Sequence, residues 1–137
     1  MADNIGPNDG RQRIPPLSRF EESAQFTRAI RVGERIIVSG NIGVEADGSI
    51  SDDAGRQAER CFEMIIDYIQ QLGGQSGDLV RVRMFVTDIA DAEVVTAAFT
   101  KYCGHARPTG TLVAISALAG PAFKVEIEAE AIVGAGQ

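Results

Sequence analysis

With 137 residues, 45% of them apolar, the chain is sized for one domain with a real core. Acidic side chains outnumber basic ones 19 to 13, and the net charge of −6 repels polyanions, which disfavours a general nucleic-acid or anionic-membrane binder. Cys61 and Cys103 make neither a disulfide framework nor a CxxC motif, and no signal-peptide core or bilayer-length apolar run is present, so a soluble cytoplasmic protein is expected.

Residues 1–22 are polar, carry Pro7, Pro15 and Pro16, and are expected to form an irregular arm ahead of a domain at 23–137. In "FTRAIRVGERIIVSG" two β-rich runs flank Gly33-Glu34, a pair suited to a two-residue turn with glycine first. That turn sets a register: Val32 faces Arg35, Ile30 faces Ile37, and Arg28 faces Ser39 with Cβ atoms ~4.5–5.5 Å apart on a shared face. A turn at 46–49 ("ADGS") follows. From about Asp53 to Leu72, Ala58, Cys61, Phe62, Ile65, Ile66, Ile69 and Leu72 mark one helical stripe, and Gly73-Gly74 stops it. Cys61 lies on that stripe and reads as a core side chain.

"DLVRVRMFVTD" alternates, with Val80, Val82, Met84 and Val86 on one side and Arg81 and Arg83 on the other. Asp91 is placed to cap a second helix running to about Tyr102, with Val94, Val95, Ala98 and Phe99 as its buried stripe. Strands are expected at 111–118 and 123–133. The order predicts an α+β sheet with both helices on one face. The strand at 111–118 is apolar on both sides, so the uncovered face calls for a second copy of the chain.

"KVEIEAEAIV" places Glu126, Glu128 and Glu130 on one face, successive carboxylates ~6.5–7 Å apart. A solvated edge is the favoured reading for Glu128 and Glu130. The alternative pairs some of the row with Arg28, Arg31, Arg81 or Arg83, and a carboxylate held in a cleft near an arginine can orient or deprotonate water. In "YCGHARPTG" the only histidine stands between Cys103 and Arg107. One histidine and one cysteine make a poor metal site, and a nucleophile–base pair would need an orienting group, so Cys103 and His105 read as a polar helix-to-strand loop. No metal is expected.

The stretches "RAIRVGERIIVSGNI", "DLVRVRMFVTDIAD", "RPTGTLVAISAL" and "KVEIEAEAIV", in this order across residues 26–133, resemble the RidA/YjgF superfamily, also labelled L-PSP endoribonuclease or translation initiation inhibitor. The resemblance implies a chorismate-mutase-like α+β fold, a homotrimer, and a small-molecule cleft at each subunit boundary. It further implies deamination of enamines and imines without metal or organic cofactor. By position it makes Ser39 and Gly40 the serine–glycine wall and Glu126 the water-positioning carboxylate. Phe26 stands at a tyrosine position and Thr96 at an asparagine position. Gly110 falls where the family has its substrate-gripping arginine, and Leu112 where a cysteine is frequent. Arg107 lies three residues upstream, a displacement of ~10 Å that reverses the facing side. Arg28, through the hairpin register, and Arg107, over the rim, are the two guanidiniums that could stand in, with Arg28 favoured.

Three functions compete. The first is a cofactor-free hydrolytic deaminase in which Glu126 orients water. The second is a metabolite-binding protein without turnover, favoured by the absent arginine. The third, ribonuclease or translation inhibition, is opposed by the acidic charge and the lack of a basic–aromatic surface.

Overall fold

In the computed structural model, which describes residues 10–136, six strands form one mixed sheet. They are β1 (Gln12–Ile14), β2 (Ala29–Val32), β3 (Arg35–Ile42), β4 (Leu79–Val86), β5 (Thr109–Ala114) and β6 (Val125–Ile132). The spatial order is β1-β2-β3-β6-β4-β5, with only β4 and β5 parallel. The helices are α1 (Arg19–Ala24), α2 (Ala54–Gln71) and α3 (Ala92–Cys103). No helix among the described residues is long and apolar enough to cross a membrane.

The β2–β3 hairpin has the expected register: Val32 pairs Arg35, Ile30 pairs Ile37, and the Ser39 amide donates to the Arg28 carbonyl. Gly33 supplies the positive φ of +61° that this turn demands. In α2 the Asp53 carboxylate accepts from the Gly55 amide, and Gly73 leaves the helix at φ +90°. Ala58, Cys61, Phe62, Ile65 and Ile69 are fully buried against β3 and β6. Each large side chain of that stripe contributes about 1.5–3 kcal/mol of burial. From the sheet, Ile36, Val38, Val82, Met84, Val86, Val125, Ile127, Ala129 and Ala131 complete this single core. Neither α2 nor α3 packs on the opposite sheet face.

Four expectations need correction. The arm is not irregular throughout: Gln12–Ile14 pairs with β2, and Arg19–Ala24 forms a third helix. Residues 1–9 of that arm lie outside the described residues. The Asp91 side chain does not cap α3; Asp88 instead accepts from the Ala90 amide in the preceding 3-10 turn. Val94 is exposed, and the buried stripe of α3 runs through Val95, Ala98 and Cys103 instead. Strand β5 spans Thr109–Ala114 rather than 111–118, and β6 stops at Ile132.

Candidate functional site

The three carboxylates of β6 have different partners. Glu130 pairs with Arg35 at 2.8 Å and with Arg81 at 3.7 Å, and Glu128 pairs with Arg83 at 3.0 Å. Both are half-buried, so the solvated-edge reading is replaced by cross-strand ion pairs set up by the β4–β6 register. Among the described residues no hydrogen bond or ion pair holds Glu126. Burial raises its pKa; the Arg28 charge opposes that rise and the Glu128 charge adds to it. An unpaired, half-buried carboxylate with a raised pKa has the character of a general base or acid.

Glu126 sits on a break in the sheet. The β3–β6 register shifts between Val38 and Asn41, which places Ser39 and Gly40 in a bulge. A Cβ at Gly40 would overlap the Glu126 carboxylate, so glycine is what lets the acid lie against the bulge. From the other side Arg28 holds the same bulge, donating from Nη2 to the Gly40 carbonyl at 2.5 Å and to Asn41 Oδ1 at 3.1 Å. Its Nη1 meets Glu21 Oε1 of α1 at 2.6 Å.

Arg28 therefore does not enter a cleft beside Ser39, although the backbone register is as expected. It is 7% exposed and committed to protein partners. Its Nε is the one buried side-chain nitrogen or oxygen among the described residues without a hydrogen bond. Arg28 fastens α1 to the bulge. Its partner Glu21 was missed at the sequence level, yet the signal is there: Ser18 and Glu21 have helix-capping spacing. The Glu21 amide donates to Ser18 Oγ, while Glu21 Oε2 accepts from Ser18 Oγ and the Leu17 amide.

Phe26 and Ser39 come together on an open groove of about 500 Å³, shared with Thr27, Arg13, Glu22 and Gln25. Phe26 stands edge-on to Phe20, ring centroids 6.1 Å apart, and both rings are exposed. Arg13 had no sequence signal beyond its charge. Phe26, Ser39, Gly40 and Glu126 thus form one cluster on the β2–β3–β6 part of the sheet.

Thr96, Arg107, Gly110 and Leu112 lie elsewhere. Strand β5 is three spacings from β3, about 14 Å. Gly110 faces the helix side, where an added Cβ would lie 3.6 Å from the Phe99 ring, and Leu112 packs on the core. Thr96 is exposed and accepts from Thr100 Oγ1 through its carbonyl. Arg107 is exposed at φ +47°. One chain does not unite these residues with Glu126.

The polar loop is no catalytic set. Cys103 is fully buried, and burial pushes its thiol up to about 12. His105 Nε2 lies 3.0 Å from Ser76 Oγ on an exposed surface. Cys61 is likewise held near 12, by burial first and the Glu126 charge second. The described residues contain no group of three or more His, Cys, Asp or Glu side chains disposed to hold a metal.

The fold and this cluster define an α+β domain with a one-sided mixed sheet and an unpaired carboxylate seated on a glycine bulge. The Endoribonuclease L-PSP family model matches residues 17–133, and the chain belongs to that family, within the RidA/YjgF superfamily. The match begins inside the segment expected to be an arm, where Glu21 and α1 lie. A member of the YjgF/YER057c/UK114 family from Mycobacterium tuberculosis is 33% identical with a TM-score of 0.82, over 90% of this chain and 99% of that one. A Pseudomonas aeruginosa protein of unknown function is 27% identical with a TM-score of 0.78, over 98% and 95% of the two chains. The 2-iminobutanoate/2-iminopropanoate deaminase of Salmonella typhimurium is 27% identical over 111 residues, 78% of this chain and 86% of that protein.

Proposed function

We propose that the chain acts as a cytoplasmic homotrimer whose subunit boundaries form small-molecule clefts, and that it hydrolyses a C=N bond of an imine or enamine tautomer without metal or organic cofactor. The observation that carries this reading is Glu126: half-buried, unpaired among the described residues, and seated on the Ser39–Gly40 bulge. Similarity to the Salmonella typhimurium deaminase gives the reaction class its support.

In this reading water's oxygen bonds to the imine carbon while Glu126 takes its proton and passes it to the nitrogen. The resulting carbinolamine then collapses. Its hydroxyl proton moves through Glu126 to nitrogen as the C–N bond breaks, releasing ammonia and leaving a carbonyl. Burial favours protonated Glu126 more than water would, which suits a group that must both accept and return a proton.

The test is ammonia release from freshly generated 2-aminoacrylate and from its amide, 2-aminoacrylamide. The wild-type protein should accelerate at least one over buffer, and Glu126→Gln should lower that rate by about 10²–10⁴-fold while leaving the fold intact. No acceleration by a folded protein would remove the enzymatic reading.

A second reading, ligand binding without turnover, is favoured by Gly110 and by the enclosure of Arg28, since the first lacks the family's arginine and the second commits its favoured stand-in to protein partners. It predicts a ligand that raises the melting temperature and is recovered unchanged. Nucleic acid is the weakest candidate partner because of the −6 charge.

A further inference from the structure

The hydroxyls of the groove are turned one way. Ser39 Oγ donates to the Thr27 carbonyl at 2.7 Å, and Thr27 Oγ1 donates to the Ile14 carbonyl. A carbonyl only accepts, so both hydroxyl protons are spent on the backbone, and each oxygen has only lone pairs left for a ligand. Four of the neighbouring amides are spent as well. Those of Gln25, Phe26, Arg28 and Ser39 donate to the carbonyls of Glu22, Glu21, Ile14 and Arg28. The Glu126 carboxylate of β6, which lies against Gly40, the residue after Ser39, adds two further acceptor oxygens beside the groove. Glu22 lines the groove with another carboxylate. Against these acceptors stand the Arg13 guanidinium and the Gln25 amide; with Arg28 and Glu21 counted as a neutral pair, the carboxylates of Glu22 and Glu126 against Arg13 leave the region net negative.

A wall of this kind repels a carboxylate and pairs with N–H. We propose that the groove beside Phe26, Thr27 and Ser39 selects a ligand through a nitrogen donor group, an amidinium, iminium or primary amide, rather than through an anionic end. Phe26, with Phe20 edge-on to it, supplies an aromatic surface for the apolar remainder or for a cationic nitrogen. The inference rests on the small-molecule cleft proposed above and assigns its substrate class: an imine carrying neutral or cationic nitrogen substituents. Gly110 then marks a site that has no carboxylate to grip.

Propanamidine and propanoate make the deciding pair, because they share a carbon skeleton and planar head group but one only donates and the other only accepts. Each is titrated into the assembled full-length protein at neutral pH, with amide chemical shifts read at Phe26, Thr27 and Ser39. Propanamidine should bind tighter by about tenfold or more, the ratio expected when a charge-assisted hydrogen bond is gained rather than lost. Glu126→Gln, which keeps the shape and removes the charge, should weaken propanamidine by about tenfold; Ser39→Ala should weaken it less. Tighter binding of propanoate would overturn the donor preference while leaving the cleft and its hydrolytic chemistry standing. If neither probe moves these three residues at saturating concentration, the cleft reading falls and the preference falls with it.

Discussion

Glu126 carries a stability signature independent of any substrate. Its pKa in the folded protein lies above the ordinary 4.5, burial being the chief cause, so the folded state holds the proton more firmly than the unfolded chain. Stability therefore falls as pH rises from the unfolded value through the raised folded one, and at pH 7 an ionised Glu126 counts against folding. Arg28 and Glu128 are the charged neighbours that act on it, the first reducing the rise and the second adding to it. Glu126→Gln should accordingly raise the melting temperature at pH 7 by a few degrees and give no advantage near about pH 3, where both side chains are neutral. Thermal unfolding across that range is the measurement, and an equal gain at both pH values would show that packing rather than ionisation is responsible.

The segment before β2 is tied to the bulge of β3 by one buried ion pair. Arg28 and Glu21 have side chains 8% and 11% exposed, and Arg28 also serves Gly40 and Asn41. Removing one member strands the other charge in the interior, which costs about 3–5 kcal/mol, whereas replacing both with apolar side chains is far less damaging. Glu21→Ala should thus lower the urea midpoint markedly, and Glu21→Leu combined with Arg28→Met should recover most of the loss. Additive losses would mean that the two side chains are not coupled. This pair also marks where sequence reasoning stopped. The β2–β3 register was readable because a glycine turn dictates backbone pairing, and Glu126 was readable because alternation fixes its face. The reach of a long side chain is not set by register: Arg28 starts opposite Ser39 and ends among Glu21, Gly40 and Asn41. The prolines at 15 and 16 suggested an irregular arm and hid the Ser18–Glu21 capping pattern behind them. The groove's polarity was hidden for a similar reason, since composition names hydroxyls but not which carbonyls receive their protons.

The one-sided sheet leaves the molecule a face that further copies of the chain could cover. Val32, Ile37, Val113 and Ile132 lie on the face opposite α2 and α3 and are each more than two-fifths exposed. The charges on that face balance: Arg35, Arg81 and Arg83 against Glu126, Glu128 and Glu130, with all but Glu126 paired across strands. A neutral, partly apolar face of this kind can be buried against copies of itself without stranding a net charge. Burying it would also bring the two sets of site residues into reach. Within one chain Glu126 is two strand spacings from Val113, about 9–10 Å, and the residues around Gly110 face the other way. A neighbouring subunit placing its β5 against the Ser39–Glu126 region would supply the missing wall. Val113→Asp puts a charge on that face and opposite Phe85, away from the core. Light scattering behind a sizing column should give a three-chain mass for the wild type and a single-chain mass for Val113→Asp, with the far-ultraviolet spectrum unchanged. Hydrolysis of the enamine should fall with the mass, because Glu126 would keep its seat on the bulge and lose the opposite wall. A folded Val113→Asp monomer with full activity would place the whole site within one chain and remove the need for the trimer.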